Sequence, residues 1–233
     1  MQAVILIAGM GNRLKSETHG QPKCMTDVQG KSIAERQIDN LLSVGVKDIL
    51  CVTGYMEETV KAFLLKQYPT LRFVDNPRFA ETNTIYSLHL AFPELTEDFF
   101  YLNGDVIFKP TLLQKLLDFS GTGLAVEFKP CGEEEVKVAL SGNRVTQISK
   151  QVPLDIAKGE FTGIALFRKT MHPAFKKSLA HEIDVKQNVK DYFERALDAI
   201  VSQVALTAID IVGEPFVEID FPEDLARARK LIL

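Results

Sequence analysis

Short apolar runs rich in β-branched residues alternate with amphipathic stretches through the first half of the chain, and few folds accept that rhythm. "AVILIA" (3–8), "DILCVTG" (48–54), "LRFVDN" (71–76) and "FFYLNGD" (99–105) have the length and composition of strands. Between them, "SIAERQIDNLLSVG" (32–45) predicts a helix stopped by Gly45, and "EETVKAFLLKQY" (57–68) and "TNTIYSLHLAF" (82–92) predict two more. Strand–helix alternation of this kind demands crossover connections and a mostly parallel sheet covered on both faces. From about residue 122 the texture changes to short strands with few helices between them: "GLAVEFKP", "VKVALSG", "RVTQISK" and "EFTGIALFRK". These predict an antiparallel or mixed extension beside the first half. Helices are expected again at 170–181 and 187–202, then strands at 204–210 and 215–219 and a closing helix from 222. With no Pro-, Gly- or Ser-rich linker and no repeat, one domain spanning 1–233 is the economical expectation, in two halves of about 1–121 and 122–233.

Bulk properties exclude several classes of partner. A formal charge of −4 argues against general nucleic-acid binding, though a local cluster of cations can still hold an anionic ligand. Cys24, Cys51 and Cys131 are odd in number and widely spaced, which fits reduced thiols rather than zinc or a disulfide framework. Residues 2–8 are too short to span a bilayer and no basic segment precedes them, so no membrane partner and a cytoplasmic location are expected. A homodimer is left open.

"AGMGNRLKSETHGQPK" (8–23) is where the first strand turns into glycine and then into cations. Gly9 and Gly11 allow positive φ and let backbone N–H groups approach a phosphate. "GMGNRL" fails the dinucleotide pattern GxGxxG, because Leu14 stands at the third glycine and no carboxylate follows the second strand in "LCVTGY". The P-loop pattern GxxxxGK[ST] is missing too. What raises this turn above an ordinary one is its pairing with Arg13 and, after a polar stretch, Lys23. A planar guanidinium and a mobile ammonium on separate segments could hold a triphosphate at two points.

"AGMGNRL" followed by "PK", with Pro22 nine positions after Arg13, resembles the signature of nucleotidyltransferases that activate phosphorylated small molecules. Sugar-1-phosphate nucleotidyltransferases and phosphocholine cytidylyltransferases of the LicC type belong here. The resemblance implies an α/β, Rossmann-like mixed sheet flanked by helices, the glycosyltransferase-A-like nucleotidyltransferase fold, with a small β-rich lobe for the acceptor. The nucleotide then falls to the first half and the acceptor to the second. Cys24-Met25 departs from the usual continuation, but neither position supplies charge.

"YLNGDVIF" (101–108) sets Asp105 at the carboxyl end of a strand, the edge where open α/β sheets hold ligands. "FVEIDFPEDLARARKL" (216–231) sets Asp220 at another strand end, before Pro222 and a helix. Taken singly, a turn aspartate explains the first and a helix cap the second. Together they resemble the family's Mg²⁺-holding pair, an ion suited to a few carboxylates plus phosphate oxygens. The resemblance extends a nucleotide site over Ile7, Ala8, Gly9, Gly11, Asn12, Arg13, Lys23 and Gly104, with Arg13, Lys23, Asp105 and Asp220 as the catalytic set. In "DNPRFAETNTIYSLHLA" (75–91), Asn83 and Ser87 would share a helix face, and Asn76 precedes them. A cap plus a solvated face is the alternative. The segment resembles the "N…NNxYSL" stretch of phosphocholine cytidylyltransferases more than the "QPxGLAxA" stretch of thymidylyl or uridylyl enzymes, so CTP is the favoured triphosphate. Thr84 stands where a second Asn is common. For the acceptor, "GEFTGIALFRK" (159–169) resembles the substrate-side strand, with Glu160 and a glycine, Gly163, that would let the acceptor approach. Lys150 and, in "VKDYFERAL", Asp191 complete the acceptor set.

The reaction these resemblances imply is Mg²⁺-dependent transfer of a cytidylyl group from CTP to a phosphorylated small molecule, such as choline phosphate or an aminoalkylphosphonate, with release of pyrophosphate. A sugar-1-phosphate nucleotidyltransferase is the alternative within the class, and an inactive nucleotide-binding regulator the alternative outside it. The missing ribose carboxylate speaks against an NAD enzyme.

Overall fold

A computed structural model of the chain describes residues 1–18 and 20–231. In chain order its elements are β1 (Gln2–Leu6), a single turn α1 (Lys15–Thr18), a ribbon of β2 (Asp27–Val28) and β3 (Lys31–Ser32), α2 (Ile33–Ser43), β4 (Asp48–Thr53) and α3 (Glu57–Leu65). Then come β5 (Arg72–Asp75), α4 (Thr84–Ala91), β6 (Phe99–Asn103), β7 (Val106–Phe108) and α5 (Pro110–Asp118). The second half holds β8 (Thr122–Glu127), β9 (Lys137–Ser141), β10 (Arg144–Ser149), β11 (Gly159–Phe167), α6 (His172–Ala180), α7 (Glu194–Asp198), β12 (Leu206–Asp210), β13 (Phe216–Glu218) and α8 (Pro222–Ala228).

Nine strands form one sheet in the order β5-β4-β1-β6-β11-β8-β12-β10-β9. Its first four strands are parallel, as the alternation in the sequence requires. The turn-over comes at β11, which lies antiparallel to both β6 and β8 and so welds the second half onto the first. β12 rejoins β8 in parallel, while β10 and β9 continue antiparallel. Among the described residues the sheet is thus mixed, as expected, with parallel and antiparallel pairings near equal in number.

β1 shows how the two faces are built. Ala3 and Ile5 point into a core closed by α2, α3 and α5, and Val4 and Leu6 into one closed by α4, α6 and α7. A strand buried on both sides reads as the unbroken apolar run seen in the sequence. The start of α2 is fixed by a reciprocal cap, in which Ser32 Oγ accepts from the Glu35 N–H at 3.2 Å and the Glu35 carboxylate accepts from the Ser32 N–H at 2.8 Å. A third, smaller core joins Leu14 behind the glycine turn to Ile107, Val217, Ile219 and Leu225. It locks the β7–β13 pair and α8 onto the start of the chain.

One helix expectation fails. Residues 187–202 give only the short α7, because the preceding segment is taken up in closing another element. The carbonyls of Val189 and Asp191 accept the N–H groups of Asn83 (2.9 Å) and Ile85 (3.4 Å) at the start of α4. Satisfying helix-start donors with backbone rather than side chains keeps 187–193 out of helical geometry. A π-helical turn, His181–Val185, makes the reversal. Among the described residues no helix is long and apolar enough to cross a membrane.

Candidate active site

The carboxyl ends of β1, β6 and β13 meet at a cavity of about 740 Å³. Lys23 is its centre of charge. The ammonium lies 2.8 Å from Asp105 Oδ2 and 2.9 Å from Asp220 Oδ1, bridging two carboxylates that are far apart in the chain. Arg13 reaches the other oxygen of Asp220 at 3.0 Å and lies over the Phe221 ring, 5.1 Å from its centroid. Burial pulls the Lys23 pKa down, but the two carboxylates more than reverse that, so the net shift is upward and the amine stays charged.

Each of these groups is positioned by the chain around it. Gly11 has φ +63°, and a Cβ there would stand 2.6 Å from Lys23 Cβ, so only glycine lets the turn lie against the lysine stem. No oxygen among the described residues accepts from the backbone N–H groups of Gly9, Met10 or Gly11. These donors remain unspent, on residues that line the same cavity as the cations. Asp220 is set by Asp224 in the first turn of α8, whose carboxylate accepts the N–H groups of Asp220 (3.1 Å) and Phe221 (2.9 Å).

A third carboxylate joins the pair. Glu218 lies two positions before Asp220 and offers an oxygen within 4.8 Å of one oxygen from each aspartate. Burial, then Asp105 and Asp220, push its carboxyl up to about 8. Three acids cannot all carry charge here without a cation, and Lys23 alone does not satisfy them: Asp105 Oδ1 is buried with no hydrogen-bond partner among the described residues. Oxygen donors crowded together, one of them orphaned, fit a hard divalent cation such as Mg²⁺.

Most of the residues singled out from the sequence line this cavity, including Ala8, Asn12, Asn76, Asn83, Ser87 and Gly104. Two of them carry loads of their own. Asn83 Oδ1 accepts from the Thr84 N–H at 2.8 Å, the capping role allowed as the alternative. Asn76 spends both amide hydrogens, on Thr82 Oγ1 and Ser87 Oγ at 3.0 Å each, so it shapes the pocket around α4.

The acceptor set divides. Lys150 and Glu160 line the cavity. Gly163 does not: at φ +74° it faces the Asn103 side chain, and a Cβ would stand 2.4 Å from Asn103 Nδ2. It makes room for a residue of the neighbouring strand. Asp191 is turned aside to Asn188 Nδ2 (3.3 Å) and the Tyr192 N–H (2.9 Å), and Ile7 is buried beneath the floor. In their place the walls carry Tyr192, the neighbour of Asp191 in the same segment, and Glu134, Glu135 and Glu194, acids that the sequence reading did not single out. Glu194 is 4% exposed, its Oε2 has no partner among the described residues, and burial pushes its carboxyl up to about 7.

The model of the MobA-like NTP transferase domain matches residues 3–182. CMP-5'-(3-aminopropyl)phosphonate synthase of Streptomyces rubellomurinus is 36% identical over 118 residues, 50% of this chain and 19% of that protein. CTP:phosphoglutamine cytidylyltransferase of Campylobacter jejuni is 26% identical over 249 residues, covering 97% of this chain and 98% of the relative. Among solved structures, CTP:phosphocholine cytidylyltransferase (LicC) of Streptococcus pneumoniae superposes with a TM-score of 0.83 at 22% identity, over 100% of this chain and 99% of that one. That likeness speaks for the fold. The chain spans about half or less of three curated relatives it matches, with 19%, 51% and 47% of their lengths covered. With a family match across most of its residues, the chain belongs to the MobA-like NTP transferase family.

Proposed function

We propose that the chain transfers a nucleotidyl group, with CTP the favoured donor, to the phosphate or phosphonate of a small cation-bearing acceptor such as choline phosphate or an aminoalkylphosphonate. The observation that carries this reading is the ammonium of Lys23 bridging Asp105 and Asp220 beside a glycine turn with unspent N–H donors. Relatives named for cytidylyl transfer to phosphocholine, phosphoglutamine and 2-aminoethylphosphonate support the choice of donor and acceptor. So does the run of acids on the far wall, Glu134, Glu135, Glu160 and Glu194, which suits a positive group better than a sugar.

In the proposed reaction an acceptor oxygen forms a bond to the α-phosphorus of the triphosphate. The bond from that phosphorus to the bridging oxygen breaks, and its electron pair leaves on pyrophosphate. The attacking oxygen is already anionic near neutral pH, so the site needs no general base. What it must do is bring two anions together and meet the charge moving onto the leaving oxygens. The N–H groups from Gly9 to Gly11 would hold the triphosphate, Arg13 the departing β and γ oxygens, and Lys23 the α-phosphate. Asp105, Glu218 and Asp220 would hold Mg²⁺, which supplies charge compensation between phosphate oxygens when bound.

The test is a panel of CTP, UTP, GTP and dTTP against choline phosphate, 2-aminoethylphosphonate and glucose 1-phosphate, read by pyrophosphate release. Turnover with CTP and an amine-bearing acceptor is expected. Preference for glucose 1-phosphate would replace the proposed acceptor class, and no release with any pair would overturn the enzymatic reading.

A further inference from the structure

Between β8 and β9 the chain runs for residues 128–136 without regular structure, and Glu134, Glu135 and Val136 of this strap form one wall of the cavity. The next residue, Lys137, is 2% exposed. Lysines ordinarily keep their ammonium in water and bury only the stem. Here the head is buried as well, and it turns back on the strap that precedes it. Its three N–H groups go to the carbonyl oxygens of Gly132 (3.2 Å), Glu133 (2.9 Å) and Glu135 (3.2 Å). An ammonium has three donors and no acceptor, so three carbonyls satisfy it completely.

The side chains that would ordinarily neutralise such a group are engaged elsewhere. Glu134 pairs with Lys150 at 3.5 Å, and Glu135 with Lys129 at 3.3 Å. Lys129 in turn holds Glu160, on β11, at 2.7 Å. The Glu135 carboxylate also accepts from the Gly132 N–H, tightening the same turn from within. One buried cation therefore fixes the backbone, while the acidic side chains of that backbone remain at the cavity. Burying a charge to brace a surface strap is expensive, and a simple connection between two strands does not require it.

We propose that Lys137 is a positioning residue for the acceptor: by gathering three carbonyls around its ammonium, it sets the wall formed by Glu134, Glu135 and Val136. The inference rests on the nucleotidyl-transfer reading above. It separates the two ends of the site, since Lys137 touches nothing on the triphosphate side.

The experiment compares the wild-type enzyme with Lys137→Met, which keeps the stem and loses the donors. Steady-state kinetics use CTP with whichever of choline phosphate, 2-aminoethylphosphonate or glucose 1-phosphate supports turnover. The expected result is an acceptor KM raised about tenfold, with the KM for CTP, kcat and melting temperature near wild type. An unchanged acceptor KM overturns the proposal. So does a parallel rise in both KM values with a lowered melting temperature, which would mark a residue that only holds the fold. If the variant does not fold, hydrogen exchange on the wild-type protein decides. Slower exchange at 132–136 on adding acceptor together with a non-hydrolysable CTP analogue supports the proposal, and unaltered exchange overturns it. Absence of wild-type turnover with every pair would remove the underlying reading, and this one with it; wild-type turnover with an unmoved acceptor KM removes this one alone.

Discussion

The two ends of the cavity handle charge in opposite ways. At the glycine-turn end, anions and cations interlock: Lys23 spans Asp105 and Asp220, and Arg13 completes the second aspartate. At the strap end, acids outnumber the cations that face them, and Glu194 sits buried with an unpaired oxygen. The first arrangement is self-neutralising. The second pairs its more exposed acids with Lys129 and Lys150 and buries one carboxyl, Glu194, that is raised to about 7 and has an oxygen without a partner among the described residues. The first end draws on the carboxyl edges of β1 and β6 and on the β7–β13 pair, the second on the strap before β9, on β11 and on α7.

Substitutions can break this contrast, and the largest effects belong at the interlocked end. Asp105→Ala should abolish metal-dependent turnover while leaving the circular dichroism spectrum intact. Retained pyrophosphate release with an unchanged Mg²⁺ requirement would take Asp105 out of the site. Lys23→Ala should lower kcat by roughly two to three orders of magnitude, as expected for loss of one donor to the developing charge. Gly11→Ala probes the same end indirectly. Its Cβ would stand 2.6 Å from the Lys23 stem at a φ of +63°, so strain and a displaced ammonium should cost about 1–2 kcal/mol of stability. A roughly tenfold loss of turnover should accompany it; denaturant unfolding and pyrophosphate release check the two halves of this expectation.

The strap end sharpens the comparison through pH. Glu194 is raised to about 7 by burial, well above the ordinary range of about 4.3 for a free glutamate. The folded protein keeps that proton after the unfolded chain has released it, so the contribution to stability is complete below the unfolded value and is lost as pH rises toward 7. Removing the titration with Glu194→Gln should flatten the profile. Relative to wild type, the variant should gain on the order of 3–4 kcal/mol between pH 4 and pH 8, measured by denaturant unfolding at both. Equal pH profiles would show that Glu194 is not held neutral. Smallest of all should be Glu134→Gln. That side chain is 97% exposed in its pairing with Lys150, and less than a threefold change in acceptor KM is expected.

Charge at strand ends was readable from the sequence because a strand's carboxyl edge is a local feature. Asp105 comes two residues after a strand that ends at Asn103, Asp220 two residues after one that ends at Glu218, and the glycine turn carries Arg13 and Lys23 at a recognisable spacing. Glu218 was equally available, since in "VEID" residues two apart on a strand share a side, but a pattern that asks for aspartates passes over it. Glu194 was not available. It lies within a stretch that reads as one long helix, and only the π-helical turn and the backbone pairing with α4 bring it to the cavity. Gly163 shows the converse failure. A positive φ was needed there, but for the Asn103 side chain, on the adjacent strand β6, which no local pattern reveals. The even mixture of parallel and antiparallel pairs depends likewise on where β11 inserts, a choice made between distant segments.

The bridge through Lys23 also has a bearing on the order of events during synthesis. Lys23 and Asp105 leave the ribosome well before Asp220, which follows the last strand and reaches its place only when β13 pairs with β7 and α8 settles over Leu14. Until then the glycine turn, Lys23 and Asp105 stand without their closing partner. A chain translated only as far as β7 therefore holds the lysine and one aspartate but cannot assemble the completed charge cluster, and β13 with α8 acts as a keystone rather than as trim.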